Sequence, residues 1–211
     1  MCSSDLTERK LAASEGDREA LKKELKRLIA EKGRAIGIFD SAPSQADLLR
    51  DLLRAPIPPA LWTRVIVLQT GEFLGLEEEA PQSSRRFLLD HLVTRVPIAE
   101  FHGLRGEASN PQAVAANYAA LLLSRPPDFA ILSLRPGGRL GFLDASAWDS
   151  PAPALVQATP TALGLTPAAF MACAHLFLLG SNRDLPDDAG PQAAALRAHP
   201  DARIFLWKDS S

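Results

Sequence analysis

Leu21, Leu25, Leu28 and Ile29 recur at the i, i+4, i+7, i+8 spacing of one helix face, with Lys and Glu around the other. The spacing predicts an amphipathic packing helix from Asp17, closed by Gly33 in a left-handed conformation. The pattern then changes. Residues 34–39 are a short apolar run with little alternation, the mark of a strand buried on both faces, and residues 64–68, 128–134, 174–179 and 202–207 repeat it. Helical patterns lie between these runs. Ser44, with Asp47 three residues on, is read as the cap of a helix carrying Leu48, Leu49, Leu52 and Leu53. Residues 82–93 present Leu88, Leu89, Leu92 and Val93 on one stripe. Asn110 followed by Pro111 is an N-cap with proline at the first helical position, and Val114, Tyr118, Leu121 and Leu122 continue that helix. Thr166-Pro167 opens a short helix, and residues 193–198 form the last one. Residues 69–81 are read as a long loop, and residues 145–160, broken by Pro and Ser, show little periodicity.

Strands alternating with helices predict an α/β fold: a three-layer, Rossmann-like domain with a mostly parallel sheet and right-handed crossovers. The expected organisation is a flexible polar segment over 1–16 and a single domain over 17–211.

Composition narrows the function classes only a little. Apolar residues are 46% and charged residues 23% of the 211, ordinary for a globular chain able to bury a core. A formal charge of -2 carries no footprint for nucleic acid or an anionic membrane. The apolar run 168–179 is too short to span a bilayer. The first 30 residues are charged and lack an apolar core segment, so no secretory signal is expected and the cytoplasm is the expected compartment. Cys2 and Cys173 make neither a disulfide framework nor a thiolate metal site. His91, His102, His175 and His199 form no metal spacing, so no metal and no cofactor is expected. A homo-oligomer is compatible with the sequence.

In such a fold, ligands bind beyond the C-terminal ends of the strands. Four loops fall there. Residues 40–44 offer Ser41 and Ser44 as hydroxyl donors at a helix start, with Asp40 set to repel an anion if it points inward. Residues 69–76 carry one acid candidate, Glu72. Residues 135–144 bring Arg135 and Arg139, suited to bidentate phosphate contacts, then Asp144. Residues 180–183 end on Arg183. For each, a solvated or purely structural role is the competing reading. Spacing alone gives no nucleophile elbow and no metal motif.

The order of these loops resembles the glucosamine-6-phosphate deaminase and 6-phosphogluconolactonase family. Residues 72–76, Glu-Phe-Leu-Gly-Leu, then Pro81-Gln82-Ser83, are similar to the family's Asp-Glu-Tyr-x-Gly-Leu and His-Pro-x-Ser segments. Gly138, Phe142 and Asp144 are similar to remnants of its Gly-x-Gly-x-Asp-Gly-His-x-Ala-Phe-Asn-Glu/Asp-Pro motif. Residues 176–180 resemble the strand before its Gly-x-x-Lys, and Leu196-Arg-Ala-His-Pro200 its closing Leu-x-x-His-Pro. The likeness runs in order from about Ala35 to the C-terminus.

The resemblance implies a sugar-phosphate isomerase-like fold and a small phosphorylated sugar or other anion as ligand. The departures fall on the chemistry it implies. Gly71 stands where the family's proton-shuttling Asp would be, and glycine has no group to move a proton. Gly137, Gly138 and Arg139 stand at its Asp-Gly-His, where a permanently charged guanidinium cannot relay protons near neutral pH. Arg183 stands at the phosphate-binding Lys, Ser41 to Ser44 at the phosphate turn, and the segment carrying the family's lid is short. Three functions follow as expectations: a degraded homologue that binds a phosphorylated sugar or phosphorylated amino sugar with weak or lost catalysis; an active deaminase or lactonase with Glu72 and Asp144 as its carboxylates; or a non-catalytic partner-binding domain.

Overall fold

The computed structural model describes residues 16–41, 57–134, 140–142, 154–180 and 198–206, with positions 46, 49, 50, 53, 195 and 196. Its main sheet holds six strands, all parallel: β1 (Ala35–Phe39), β2 (Val65–Gln69), β4 (Glu100–His102), β5 (Phe129–Ser133), β8 (His175–Gly180) and β9 (Ala202–Leu206). The remaining strands, β3 (Gly71–Phe73), β6 (Val156–Ala158) and β7 (Ala162–Leu165), make a small antiparallel sheet in the order β3-β7-β6.

The strands of the main sheet lie in the order β4-β2-β1-β5-β8-β9, the doubly wound arrangement in which the chain reverses direction of travel between β1 and β5. The reason these strands lack polar alternation is visible in the packing. All five residues of β2 are buried. Val65 and Val67 join one apolar layer with Leu21, Leu25, Leu28 and Ile29 of α1 (Gly16–Glu31) and with Trp62 of α2 (Pro59–Trp62). Ile66 and Leu68 join the opposite layer, with Tyr118 and Leu122 of α4 (Pro111–Ser124), Leu163 and Leu165 of β7, and Phe170 of α5 (Pro167–Met171). Strand side chains alternate between faces, so a strand covered on both must be apolar throughout. The three-layer expectation holds, and the main sheet is parallel in every pairing.

α3 begins as Ser84–Leu88 and continues through a wider turn over Leu89–Val93. Asn110 caps α4 as expected, its side chain accepting from Ala113 N at 3.0 Å with Pro111 at the first position. Replacing Asn110 by alanine is expected to lower stability by about 1 kcal/mol, readable as a shift of the urea midpoint at unchanged slope.

Three expectations need correction. Gly33 does not close α1 in a left-handed conformation; among the described residues only Gly75 and Gly141 have positive φ. The stretch 69–81 is not one long loop, because β2 runs through Gln69 and β3 follows at once. The stretch 145–160 contains β6, and β4 had no counterpart in the sequence reading. Strands of three residues offer too few positions for a period of two to show. The Ser44 cap and Asp47 lie outside the described residues.

Candidate functional site

At the reversal point, the C-terminal ends of β1, β2 and β5 meet. Asp40, just after β1, is fully buried. Its Oδ1 accepts from Ser41 N at 2.9 Å and from Thr70 Oγ1 at 3.1 Å, and its Oδ2 accepts from Ser133 N at 3.1 Å. Its own N–H donates to the Ile131 carbonyl at 3.0 Å. One carboxylate therefore ties together three strand ends. Ser41 beside it is 7% exposed, and its Oγ finds no hydrogen-bond partner among the described residues. A buried hydroxyl without a partner is uncommon and asks for an explanation.

Beyond Thr70 the chain turns into β3, and successive side chains point to opposite faces. Gly71 faces Phe142. A Cβ built on Gly71 would lie 2.5 Å from the Phe142 ring and 2.8 Å from the Leu163 carbonyl oxygen, far inside van der Waals contact. Phe142 is held there from both sides. It follows Gly141, whose φ of +66° suits glycine and where an added Cβ would come within 3.1 Å of the Phe170 ring. It also meets Phe73 edge-on, with centroids 5.1 Å apart.

Glu72 takes the other face and is 1% exposed. Its Oε1 accepts from Phe73 N at 2.9 Å and Ser84 N at 3.0 Å. Its Oε2 accepts from Arg85 N at 2.7 Å, Ser83 Oγ at 2.9 Å and Gln69 Nε2 at 3.3 Å. A carboxylate offers about four lone-pair sites, so these donors fill both oxygens. The first N–H groups of α3, which have no partner within the helix, are satisfied by this side chain.

Gln69 and Tyr118 complete the wall. Gln69 Oε1 accepts from Leu104 N at 2.9 Å, and its Nε2 donates to the Gly71 carbonyl at 2.7 Å. The Tyr118 hydroxyl accepts from Gln69 N at 2.8 Å and lies 3.0 Å from the Gln69 and His102 carbonyls. Burial pushes its pKa well above that of an ordinary tyrosine, so it remains a neutral hydrogen-bonding post.

The structure brings together the first two sequence-selected loops and, through Phe142, part of the third. Ser41 lies at the reversal point, and Glu72 turns toward the start of α3. Ser44, Gly137, Gly138, Arg139, Asp144 and Arg183 lie outside the described residues. The sequence reading missed Thr70, Ser133 and Tyr118. The lone tyrosine of the chain at a core position of α4 was the available signal for the last.

The histidines outside the cleft have structural partners. His199 Nδ1 accepts from Asp201 N at 3.1 Å, which leaves its Nε2 to donate to the Cys173 carbonyl at 3.0 Å. His175 pairs with Asp201 at 2.5 Å. Burial, with the Asp128 charge adding to it, pushes the Cys173 thiol up to about 12, which keeps it protonated and unreactive. No group of His, Cys, Asp and Glu able to hold a metal occurs among the described residues. None of the described helices is long and apolar enough to cross a membrane.

No family model matches the chain. It is similar to the glucosamine-6-phosphate deaminase of Streptococcus sanguinis, 28% identical over 149 residues, which is 71% of this chain and 61% of that protein. It is 35% identical to the glucosamine-6-phosphate deaminase of an Exiguobacterium species over 80 residues, 38% of this chain and 32% of that protein. The matches thus span less than two thirds of these relatives. The fold is that of 6-phosphogluconolactonase from Thermotoga maritima, with a TM-score of 0.75 at 18% identity over 90% of this chain and 93% of that one. It is equally that of a monomeric glucosamine-6-phosphate deaminase, with a TM-score of 0.71 at 18% identity over 90% and 92%.

Proposed function

We propose that this chain, which is similar to glucosamine-6-phosphate deaminases in sequence and shares the fold of 6-phosphogluconolactonase, is a divergent relative of them that binds a phosphorylated sugar with its catalysis largely lost. One observation carries the proposal. Position 71, where the resemblance puts the proton-shuttling carboxylate, is a glycine whose side-chain space is taken by the Phe142 ring. The base is not merely absent. Its place is filled, so neither a water nor a substrate carbon can sit against that point of β3. Losing a general base slows such a reaction on the order of 10²–10⁴-fold.

In this reading Glu72 is a positioning residue. It faces away from Phe142 and its oxygens are filled by the start of α3, which leaves no lone pair for a substrate proton. On the sequence resemblance, the groups proposed to hold the ligand are the hydroxyls of Ser41 and Ser44 and the guanidinium groups of Arg139 and Arg183, and Asp144 is the other carboxylate it names. The Ser41 Oγ, without a partner among the described residues, supports a polar ligand group at the end of β1.

A thermal-shift series with glucosamine 6-phosphate, 6-phosphogluconate and their unphosphorylated counterparts tests binding. The expected result is a rise in Tm with at least one phosphorylated sugar, reduced in Arg183→Ala. No rise with any of them would remove the binding role.

A further inference from the structure

The small sheet turns one face to the core and the other away from it. Val156 of β6 and Leu163 and Leu165 of β7 pack into the core. Side chains alternate along a strand, and directly paired residues share a face. The register pairs Gly71 with Gly164, Gln157 with Gly164 and Phe73 with Ala162, so these five residues lie on the outward face. The two glycines leave a strip without side chains. The Phe142 ring lies on it at Gly71 and meets Phe73 edge-on. Phe73 is 45% exposed, and Gln157 is exposed as well. We propose that this face is a carbohydrate platform: the Phe73 ring, braced by Phe142, stacks on the C–H face of a closed six-membered sugar ring, and the Gln157 amide hydrogen-bonds the hydroxyls of that ring. The inference rests on the reading of this chain as a sugar-phosphate binder, and it adds which form of the sugar is taken and which residues select it.

A single exposed apolar side chain is ordinary, and Leu123, the other large one among the described residues, is of that kind. Phe73 differs in its setting. Its ring has an aromatic neighbour against it, and β3 leaves the reversal point directly after Thr70, which places Phe73 about 10 Å along the strand from that residue. An aromatic ring already held in place offers a large contact area with little further entropy to lose. Gln157 lies two strands across and two residues along from Phe73, about 12 Å between Cα atoms, so both side chains reach a hexose lying between them. A primary amide donates and accepts, which suits hydroxyls that do both. A closed sugar ring gathers C–H groups on one face, and its shape is set before binding. An open chain has no such face and must freeze its torsions to bind. With Phe142 set against Gly71, contact with an intact ring takes the place of contact with a reacting carbon.

The test is a calorimetric titration of the full chain with two probes: methyl glucoside 6-phosphate, whose ring cannot open, and glucitol 6-phosphate, which has no ring. The natural protein should bind the ring form about tenfold more tightly. Phe73→Ala should abolish that preference by weakening the ring form alone, and Phe73→Leu, which keeps apolar bulk without an aromatic face, should do the same while guarding against a loss of folding. Phe73→Trp should retain the preference. Gln157→Ala should weaken the ring form about fivefold. Equal affinity for the two probes in the natural protein, or a ring preference that survives in Phe73→Leu, would overturn the platform and leave the binding role standing. Binding of neither probe would overturn the binding role and the platform with it.

Discussion

Replacing Glu72 by alanine is expected to cost about 3–5 kcal/mol of folding stability, a substantial part of what holds a domain of this size together. The truncation removes the acceptor for Ser84 N, Arg85 N, Phe73 N, Ser83 Oγ and the Gln69 amide at once. Each buried donor left without a partner costs about 1–3 kcal/mol, less where water enters. The loss should extend beyond α3. Gln69 would lose one of the contacts that fix it between β2 and the backbone of Leu104. The isosteric Glu72→Gln keeps one acceptor oxygen and turns an amide NH2 toward N–H groups, so a loss of about 2 kcal/mol is expected from it as well. Urea unfolding of the two variants measures both. The alternative role, a general base, predicts the opposite for the glutamine variant: stability near that of the natural protein with any turnover abolished.

The second large effect lies on the other face of β3. Gly71→Asp is expected to lower stability by about 3 kcal/mol, because its Cβ overlaps the Phe142 ring and the Leu163 carbonyl, and overpacking alone costs about 1–3 kcal/mol before a carboxylate is set against an aromatic ring. Phe142→Ala removes a half-buried ring packed on Phe73 and should cost about 2–3 kcal/mol by itself. The two changes share one space, so they cannot act independently. Combined, they should be less destabilising than their sum by more than 1 kcal/mol, a coupling readable from a double-mutant cycle. Strict additivity would mean that the ring does not rest on Gly71. The pair also separates two accounts of the missing base. A bare glycine would accept an aspartate with little strain, whereas a filled position accepts it only when the ring is removed.

Much of this architecture is legible along the chain, for a physical reason. The central strands of the main sheet are covered on both faces, so residues 35–39, 65–69 and 129–133 stand out as apolar runs between helices with their own periodicity. The Asn110 cap is equally visible, because its chemistry is local. The short strands were not visible. β3 is Gly-Glu-Phe and owes its conformation to pairing with β7, more than 80 residues further on. The same holds for the site. Gly71 stood out in the sequence by its place before Glu72, where the resemblance puts a carboxylate, yet only the tertiary fold shows that the Phe142 ring lies against it. Asp40 read as a residue that would repel an anion if it pointed inward. It does point inward, and three strand ends bond to it. Glu72 illustrates the limit most clearly: a lone acid in a loop looks the same in sequence whether it faces a substrate or the start of a helix.

The central claim is that the chain keeps the family fold while the base position on β3 is occupied by an aromatic ring. Ammonia release from glucosamine 6-phosphate by the purified protein tests it most directly. The account predicts release per mole of protein at least about 10²-fold below that of an active glucosamine-6-phosphate deaminase assayed alongside. Saturable release at a rate comparable with that enzyme would contradict it.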